Sequence, residues 1–282
     1  MSAAQKSDTG QTMQWGSHRG HAWVQAQELL DRLFQPFEDM LVEAVGAASG
    51  RRVLDIGSGT GSTTVAVARR LGEGGSSLGV DISEPMIAAA RVRAERERVP
   101  ATFVRADAQT YEFEPASYDT IISRFGVMFF DDSVRAFSNL RRAAKDGAAL
   151  RAIVWRRAED NPFMTVAERA AAPLLPNLPV RKPDEPGQFA FGDPQRVRDI
   201  LRRSGWSEIE IRPLDVDCTL PEKDLVSYLT RLGPVGAALQ GADEGIRARV
   251  VETVRAAFDP YVHGADVRFT ASCWRVEAKA ST

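Results

Sequence analysis

The sequence predicts an α/β fold in which one mostly parallel sheet carries helices on both faces. Three observations support that prediction. Beyond Gly50 short apolar runs alternate with amphipathic stretches, as a chain of βαβ units requires. A glycine-rich turn, Gly57-Ser58-Gly59-Thr60-Gly61, follows the first of those runs and opens a helix. Acidic residues then recur at the ends of successive strands, at Asp81 and Asp107. Open α/β sheets bind their ligands at those ends.

Ahead of the sheet, Trp23, Leu29, Leu30, Leu33, Phe37, Leu41 and Val45 recur at helical spacing. They predict one amphipathic helix, broken near Pro36. Strands are then expected over 52–56, 77–80, 101–105, 118–123 and 148–155, with helices over 62–71, 84–97 and 133–144 between them. Ser83 is placed to cap the second of these helices. Residues 161–194 hold seven of the fifteen prolines and no clean strand, so they read as an insertion that begins with a short helix over 163–172. Asp193 then caps a helix running to Arg203 and ended by Gly205. A long strand over 208–220, two helices over 222–261 split at Gly233-Pro234, and a last strand over 267–278 complete the chain. The expected organisation is a tail (1–14) and a single domain (15–282). That domain divides into an N-terminal helical cover (15–49), core (50–156), lid insertion (157–192), core (193–221), helical insertion (222–263) and terminal strand (264–282).

The 282 residues carry 36 basic and 38 acidic side chains, a formal net charge of −2. A nucleic-acid reader usually shows a basic excess, so the partner is expected to be a small molecule rather than nucleic acid. Cys218 and Cys273 lack CxxC spacing, which argues against a metal site and fits a reducing cytoplasm. The first dozen residues are polar, and no apolar run approaches the ~18–20 residues of a membrane span.

The glycine turn is spaced GxGxG, and Asp55 stands two residues before it. A dinucleotide pyrophosphate is served by helix-end donors with no carboxylate nearby. Asp55 instead suits a ligand bearing an ammonium group. Asp81 falls 20 residues after Gly61, where a carboxylate can accept from both hydroxyls of a ribose. Asp107 ends the third strand within Ala106-Asp107-Ala108, and the fourth ends in Ser123-Arg124-Phe125-Gly126-Val127-Met128-Phe129-Phe130. Taken singly these features also suit a tight connection, a strand-end turn and a packed core. Their joint spacing does not.

Together these motifs resemble the class I S-adenosylmethionine (SAM)-dependent methyltransferases, and within them the UbiE-like group of bacterial small-molecule enzymes. The resemblance is specific from Trp15 to Trp155. It is looser through Phe189-Ala190-Phe191, Ser204-Gly205-Trp206 and the terminal strand. It implies a Rossmann-like, doubly wound, seven-stranded sheet of order 3-2-1-4-5-7-6, the last strand antiparallel, with helical lid insertions and SAM as cofactor. On this resemblance Gly57, Ser58 and Gly59 line the methionine moiety, and Asp55 acts near its amino group. Asp81 grips the ribose with Ile82 and Met86 beside the adenine. Asp107 binds the adenine amino group and Ala108 adds a backbone contact. Ser123 brings its backbone to the methionine amine. Trp15 and Arg19 belong to a segment that folds over the cofactor. One departure is the turn before strand five, where Lys145-Asp146-Gly147 stands in place of Pro-Gly-Gly.

Methyl transfer is an in-line displacement at a carbon already activated by its sulfonium, so alignment is the main requirement. A base is needed only where the acceptor must lose a proton. Of the three histidines, His18 is the candidate because its segment should lie near the cleft. Phe125, Met128, Phe129, Trp155, Asn161, Phe189, Phe191 and Tyr228 are candidate acceptor contacts. Their character points to a small hydrophobic or aromatic acceptor, such as a phenol, quinone precursor or polyketide. Alternative readings are a SAM-binding protein without methyl transfer, a SAM-dependent RNA methyltransferase and a NAD-dependent dehydrogenase.

Overall fold

The computed structural model describes residues 15–16, 18–46, 50–179, 181 and 185–281. The tail expected at 1–14 lies outside them. Two helices, α1 (His18–Gln25) and α2 (Gln27–Val45), precede the sheet. The predicted single helix is therefore broken, but at Ala26 and not at Pro36, which sits inside α2. Leu33, Phe34, Phe37 and Leu41 are all buried around the proline. Their packing holds the helix through a residue that cannot donate its backbone hydrogen bond.

The core follows as β1 (Arg52–Ile56), α3 (Ser62–Leu71), β2 (Ser76–Asp81), α4 (Glu84–Glu97), β3 (Ala101–Arg105), β4 (Tyr118–Arg124), α5 (Ser133–Ala143) and β5 (Ala144–Trp155). Then come α6 (Pro162–Ala171), α7 (Pro194–Arg203), β6 (Ser207–Pro221), α8 (Glu222–Arg231), α9 (Gly233–Leu239), α10 (Glu244–Ala257), β7 (Val262–His263) and β8 (Asp266–Lys279). The sheet order is β3-β2-β1-β4-β5-β8-β6. Pairings among β1 to β5 are parallel, and β8 runs antiparallel to β5 and β6. This is the expected order, with the two-residue β7 added by its antiparallel pairing to β8. Leu54, Ile121, Ile122 and Leu150 on the central strands are fully buried, as a parallel sheet covered on both faces requires.

Two boundaries differ from expectation. β5 starts at Ala144, ahead of the predicted strand, through an irregularity opposite Tyr118 and Thr120. Within it Gly147 takes a left-handed φ of 74° and donates to the Ala280 carbonyl at 2.6 Å. The segment 222–261 forms three helices, not two, because the chain is interrupted again before Asp243. That side chain caps α10 by accepting from the Ile246 N–H at 2.9 Å. Helices α6, α8, α9 and α10 pack on one another as a cap. Phe163 of α6 anchors it to the sheet by stacking on Phe269 of β8 at 3.7 Å.

Candidate functional site

The strand ends and the cap enclose one cleft of about 490 Å³. Its sheet side is built by the turn after β1. Gly57 has a φ of 69°, which an L side chain rarely adopts. A Cβ there would also lie 2.5 Å from the Gly126 Cα, so the ends of β1 and β4 meet backbone to backbone. Ser123 braces this junction. Its hydroxyl donates to the Ile56 carbonyl at 2.8 Å and accepts from the Gly126 N–H at 3.1 Å.

Three carboxylates at the strand ends, Asp55, Asp81 and Asp107, line the sheet side of the cleft. Asp55 is buried and accepts from the Thr64 hydroxyl at 2.7 Å. Burial pushes its carboxyl up to about 6, against the pull of Thr64 and Arg124. Arg124, at the end of β4, donates to Ser62 at 2.8 Å and faces Glu38 at 3.8 Å. Asp81 accepts from the Gly59 N–H on one oxygen and the Ser83 N–H on the other, both at 2.9 Å. The Ile82 backbone also acts on this carboxylate, whose four lone pairs still leave capacity for a ligand. Burial raises the Asp81 carboxyl above its ordinary range. Asp107 accepts from the Gln109 N–H at 2.9 Å, and the Gln109 side chain also donates to it at 3.2 Å. The Ser58 and Thr63 hydroxyls on this wall are buried with no hydrogen-bond partner among the described residues. Buried polar atoms without partners are costly, which fits a polar ligand completing this wall.

Ser83 stands at the N-cap position of α4, but its hydroxyl makes no bond to that helix. It donates instead to the Trp15 carbonyl at 2.8 Å. The expected side-chain cap is thus replaced by a tether to Trp15, ahead of α1, which lines the cleft. Gly20 allows the approach, since a Cβ there would lie 2.4 Å from the Trp15 oxygen.

The opposite side is aromatic. Phe125 follows β4 with a φ of 64°, unusual for a bulky residue, and stacks on Trp155 at 4.6 Å. Phe34 meets both rings edge-on. Trp15 meets Phe129 edge-on at 5.3 Å. Phe163, Met164, Tyr228 and Phe258 extend this wall into the cap. At its edge the Arg181 guanidinium forks onto the Glu168 carboxylate and lies over the Phe189 ring at 5.0 Å.

Asp55, Gly57, Ser58, Gly59, Asp81, Ile82, Met86, Asp107, Ala108, Trp15 and Arg19 all line the cleft, but Ser123 does not. Of the expected acceptor contacts, Phe125, Met128, Phe129, Trp155, Phe189 and Tyr228 line it, and Asn161 and Phe191 do not. Asn161 donates to the Ser272 carbonyl and accepts its N–H, both at 2.9 Å, which fastens the start of α6 to β8. Phe191 is buried against Phe137. His18 opens α1, but its side chain lies outside the described residues. His263 lies on the exposed β7. The sequence reading missed Thr63, Phe34, Arg124, Glu168, Arg181 and Phe258. Thr63 had a signal, lying in the first turn after the glycines.

Among the described residues no helix is long and apolar enough to cross a membrane. Residues 53–147 match a family described as a methyltransferase domain. A demethylmenaquinone methyltransferase of Renibacterium salmoninarum is 26% identical over 184 residues, 62% of this chain and 75% of that one. The ubiquinone/menaquinone biosynthesis C-methyltransferase UbiE of Pectobacterium carotovorum is 25% identical over 178 residues, 60% of this chain and 71% of that one. Three mycobacterial proteins, 28% identical over 127 residues (45% of this chain), are spanned over only 45% of their length. Among solved structures, YcgJ of Bacillus subtilis matches with a TM-score of 0.57 at 14% identity, covering 87% of this chain and 98% of that one, which shows the fold. With a sheet of this order, a glycine turn opening onto a carboxylate-lined cleft and relatives of this kind, the chain is a class I SAM-dependent methyltransferase, UbiE-like, that acts on a small molecule.

Proposed function

We propose that the cleft holds SAM along its carboxylate side and a small aromatic acceptor along its aromatic side. The supporting observation is the division of this one space. Carboxylates and unpartnered hydroxyls line one wall, and Phe125, Trp155, Phe163 and Phe258 line the other. Gly57, Ser58, Gly59 and Thr63 would border the methionine part, with the two hydroxyls donating to its carboxylate. Asp55, ionised above about pH 6, would face its ammonium group. The remaining lone-pair capacity of Asp81 suits the hydroxyls of a ribose. Ile82, Met86 and Ala108 would flank the adenine, with Asp107 accepting from its amino group. Trp15 and Arg19 would cover the site from α1.

Bound SAM supplies a methyl group already activated by its sulfonium. The chain's own contribution is alignment and dryness. Phe125 and Trp155, stacked and held by Phe34, form a rigid wall on which an aromatic acceptor can lie. Near-attack separations are about 3–3.5 Å, so small errors of position are expensive. The cap and α1 exclude water from that space. Where the acceptor must lose a proton, His18 is the proposed base, because Arg19, Ala22 and Trp23 of the same helix line the cleft. An apolar wall of this kind favours phenols, quinone precursors and aromatic polyketides. The names of the Renibacterium and Pectobacterium relatives agree with that class. The formal charge of −2 favours a small molecule over nucleic acid, and the free thiols of Cys218 and Cys273 suit a reducing cytoplasm.

Incubating the protein with SAM and a panel of phenols, hydroquinones and naphthols, read by mass spectrometry, tests this reading. The expected result is a methylated aromatic product with stoichiometric S-adenosylhomocysteine. Transfer confined to polar amines or to RNA would overturn it.

A further inference from the structure

Within the aromatic side of the cleft, one hydroxyl is conspicuous for its surroundings. Helix α8 reads Glu222-Lys223-Asp224-Leu225-Val226-Ser227-Tyr228-Leu229-Thr230-Arg231, and it buries Leu225 and Leu229 against the cap. Tyr228 lies on that inward face and reaches the cleft. Its ring is tilted on Phe163 at 6.2 Å, and Phe163 is itself fixed by its stack on Phe269. The hydroxyl therefore stands on a ring packed against an anchored neighbour. Among the described residues its hydrogen-bond partner is the Met164 sulfur at 3.9 Å. A thioether is a weak acceptor, and this distance is at the outer limit of such a bond. A phenol hydroxyl enclosed by apolar groups usually has a strong partner. Among the described residues no stronger acceptor pairs with it, and Met164 also borders the cleft.

We propose that the Tyr228 hydroxyl is the donor that recognises an oxygen of the methyl acceptor, so that the acceptor class is an aromatic molecule bearing a carbonyl or phenolic oxygen on the edge facing α8. This rests on the aromatic-acceptor reading above and narrows it. Burial, with Cys218 nearby, raises the Tyr228 pKa, so the hydroxyl keeps its proton and acts as donor, not as base. An oxygen lying at Tyr228 also fixes the rotation of a flat acceptor in its plane, which stacking on Phe125 and Trp155 alone leaves free. The ring atom presented to the methyl group is then selected by its position relative to that oxygen.

The test uses 1-tetralone and tetralin, which share size and ring but differ in one carbonyl oxygen. Binding of each is measured by calorimetry to the wild-type protein and to Tyr228→Phe, both saturated with S-adenosylhomocysteine. The phenylalanine variant keeps the ring packing and loses only the donor. Tetralone should weaken by about tenfold in the variant, as expected for a buried carbonyl left unpaired. Tetralin should change by less than about twofold, since only a hydroxyl is removed. Equal changes for the two probes, or no change for either, would overturn the proposal while leaving the aromatic-acceptor reading intact. Failure of both probes to bind wild-type protein that holds S-adenosylhomocysteine would overturn that reading, and the proposal with it.

Discussion

Asp81 and Tyr228 face the same cleft but are held in place by different means. Asp81 is fixed by two backbone N–H groups, from Gly59 in the turn after β1 and Ser83 at the start of α4. Tyr228 is fixed by its ring, through Phe163, which stacks on Phe269 far along the chain. The contrast extends to the whole of each side. Sheet-side groups sit on short turns at adjacent strand ends, and backbone hydrogen bonds set their positions. Cap-side groups come from α1, α2, α6, α8 and α9 and the loops between, and packing sets theirs. A site for an invariant ligand can rest on backbone geometry. A site for a particular acceptor is remade by exchanging side chains on helices.

That separation can be broken from either side. The largest effect is expected from Gly57→Val, whose Cβ would lie 2.5 Å from the Gly126 Cα at a φ of 69°. S-adenosylhomocysteine binding should fall below calorimetric detection, and urea denaturation should show a loss of about 3 kcal/mol or more. Near-normal affinity in this variant would mean that the turn does not shape the cofactor wall. Next comes Phe163→Ala, which removes the ring joining the cap to β8. A buried Phe→Ala change costs about 3–5 kcal/mol, and here the loss should be confined to the cap. Turnover should collapse while S-adenosylhomocysteine affinity stays within about threefold, because the hydrogen bonds that hold Asp55, Asp81 and Asp107 do not involve Phe163. A parallel loss of both would merge the two sides into one unit.

Asp81→Ala should weaken S-adenosylhomocysteine by about tenfold to a hundredfold with unchanged circular dichroism, since charge-assisted bonds to one shared carboxylate are lost. An unchanged dissociation constant would place the ribose elsewhere. The smallest effect concerns pH. Asp55 titrates at about 6 in the fold, above the ordinary carboxylate value of roughly 3.9. The folded state therefore binds the extra proton between those values, and the ligand-free protein loses stability as pH rises through them. An ammonium-bearing ligand needs the ionised form, so its affinity moves the other way. Binding should tighten by about tenfold from pH 5 to pH 7, as the ionised fraction rises from roughly a tenth to nine tenths. Asp55→Asn should flatten that profile, and a persistent slope would assign it to another group.

The same contrast explains what was legible in the sequence. The sheet order, the glycine turn and Asp55, Asp81 and Asp107 could be read because βαβ topology brings successive strand ends together. The role implied for Ser123 is a backbone contact, and what the sequence did not reveal is that its hydroxyl joins β4 to β1. Asn161 and Phe191 misled. Both lie near the ends of the lid insertion, but side-chain fit sends one to Ser272 and the other to Phe137. Phe34 and Phe258 gave no local signal, since helical spacing shows that a face is buried and not what it is buried against. Pro36 is the same lesson in the backbone, a local break overruled by the packing of its neighbours.

A crystal structure of the protein with S-adenosylhomocysteine tests the division of the cleft most directly. Ribose hydroxyls are expected on the Asp81 carboxylate, adenine beside Met86 and Asp107, and the sulfur turned toward the Phe125–Trp155 wall. Adenine lodged under the cap beside Phe163 and Tyr228, with Asp81 left to its two backbone donors, would contradict it.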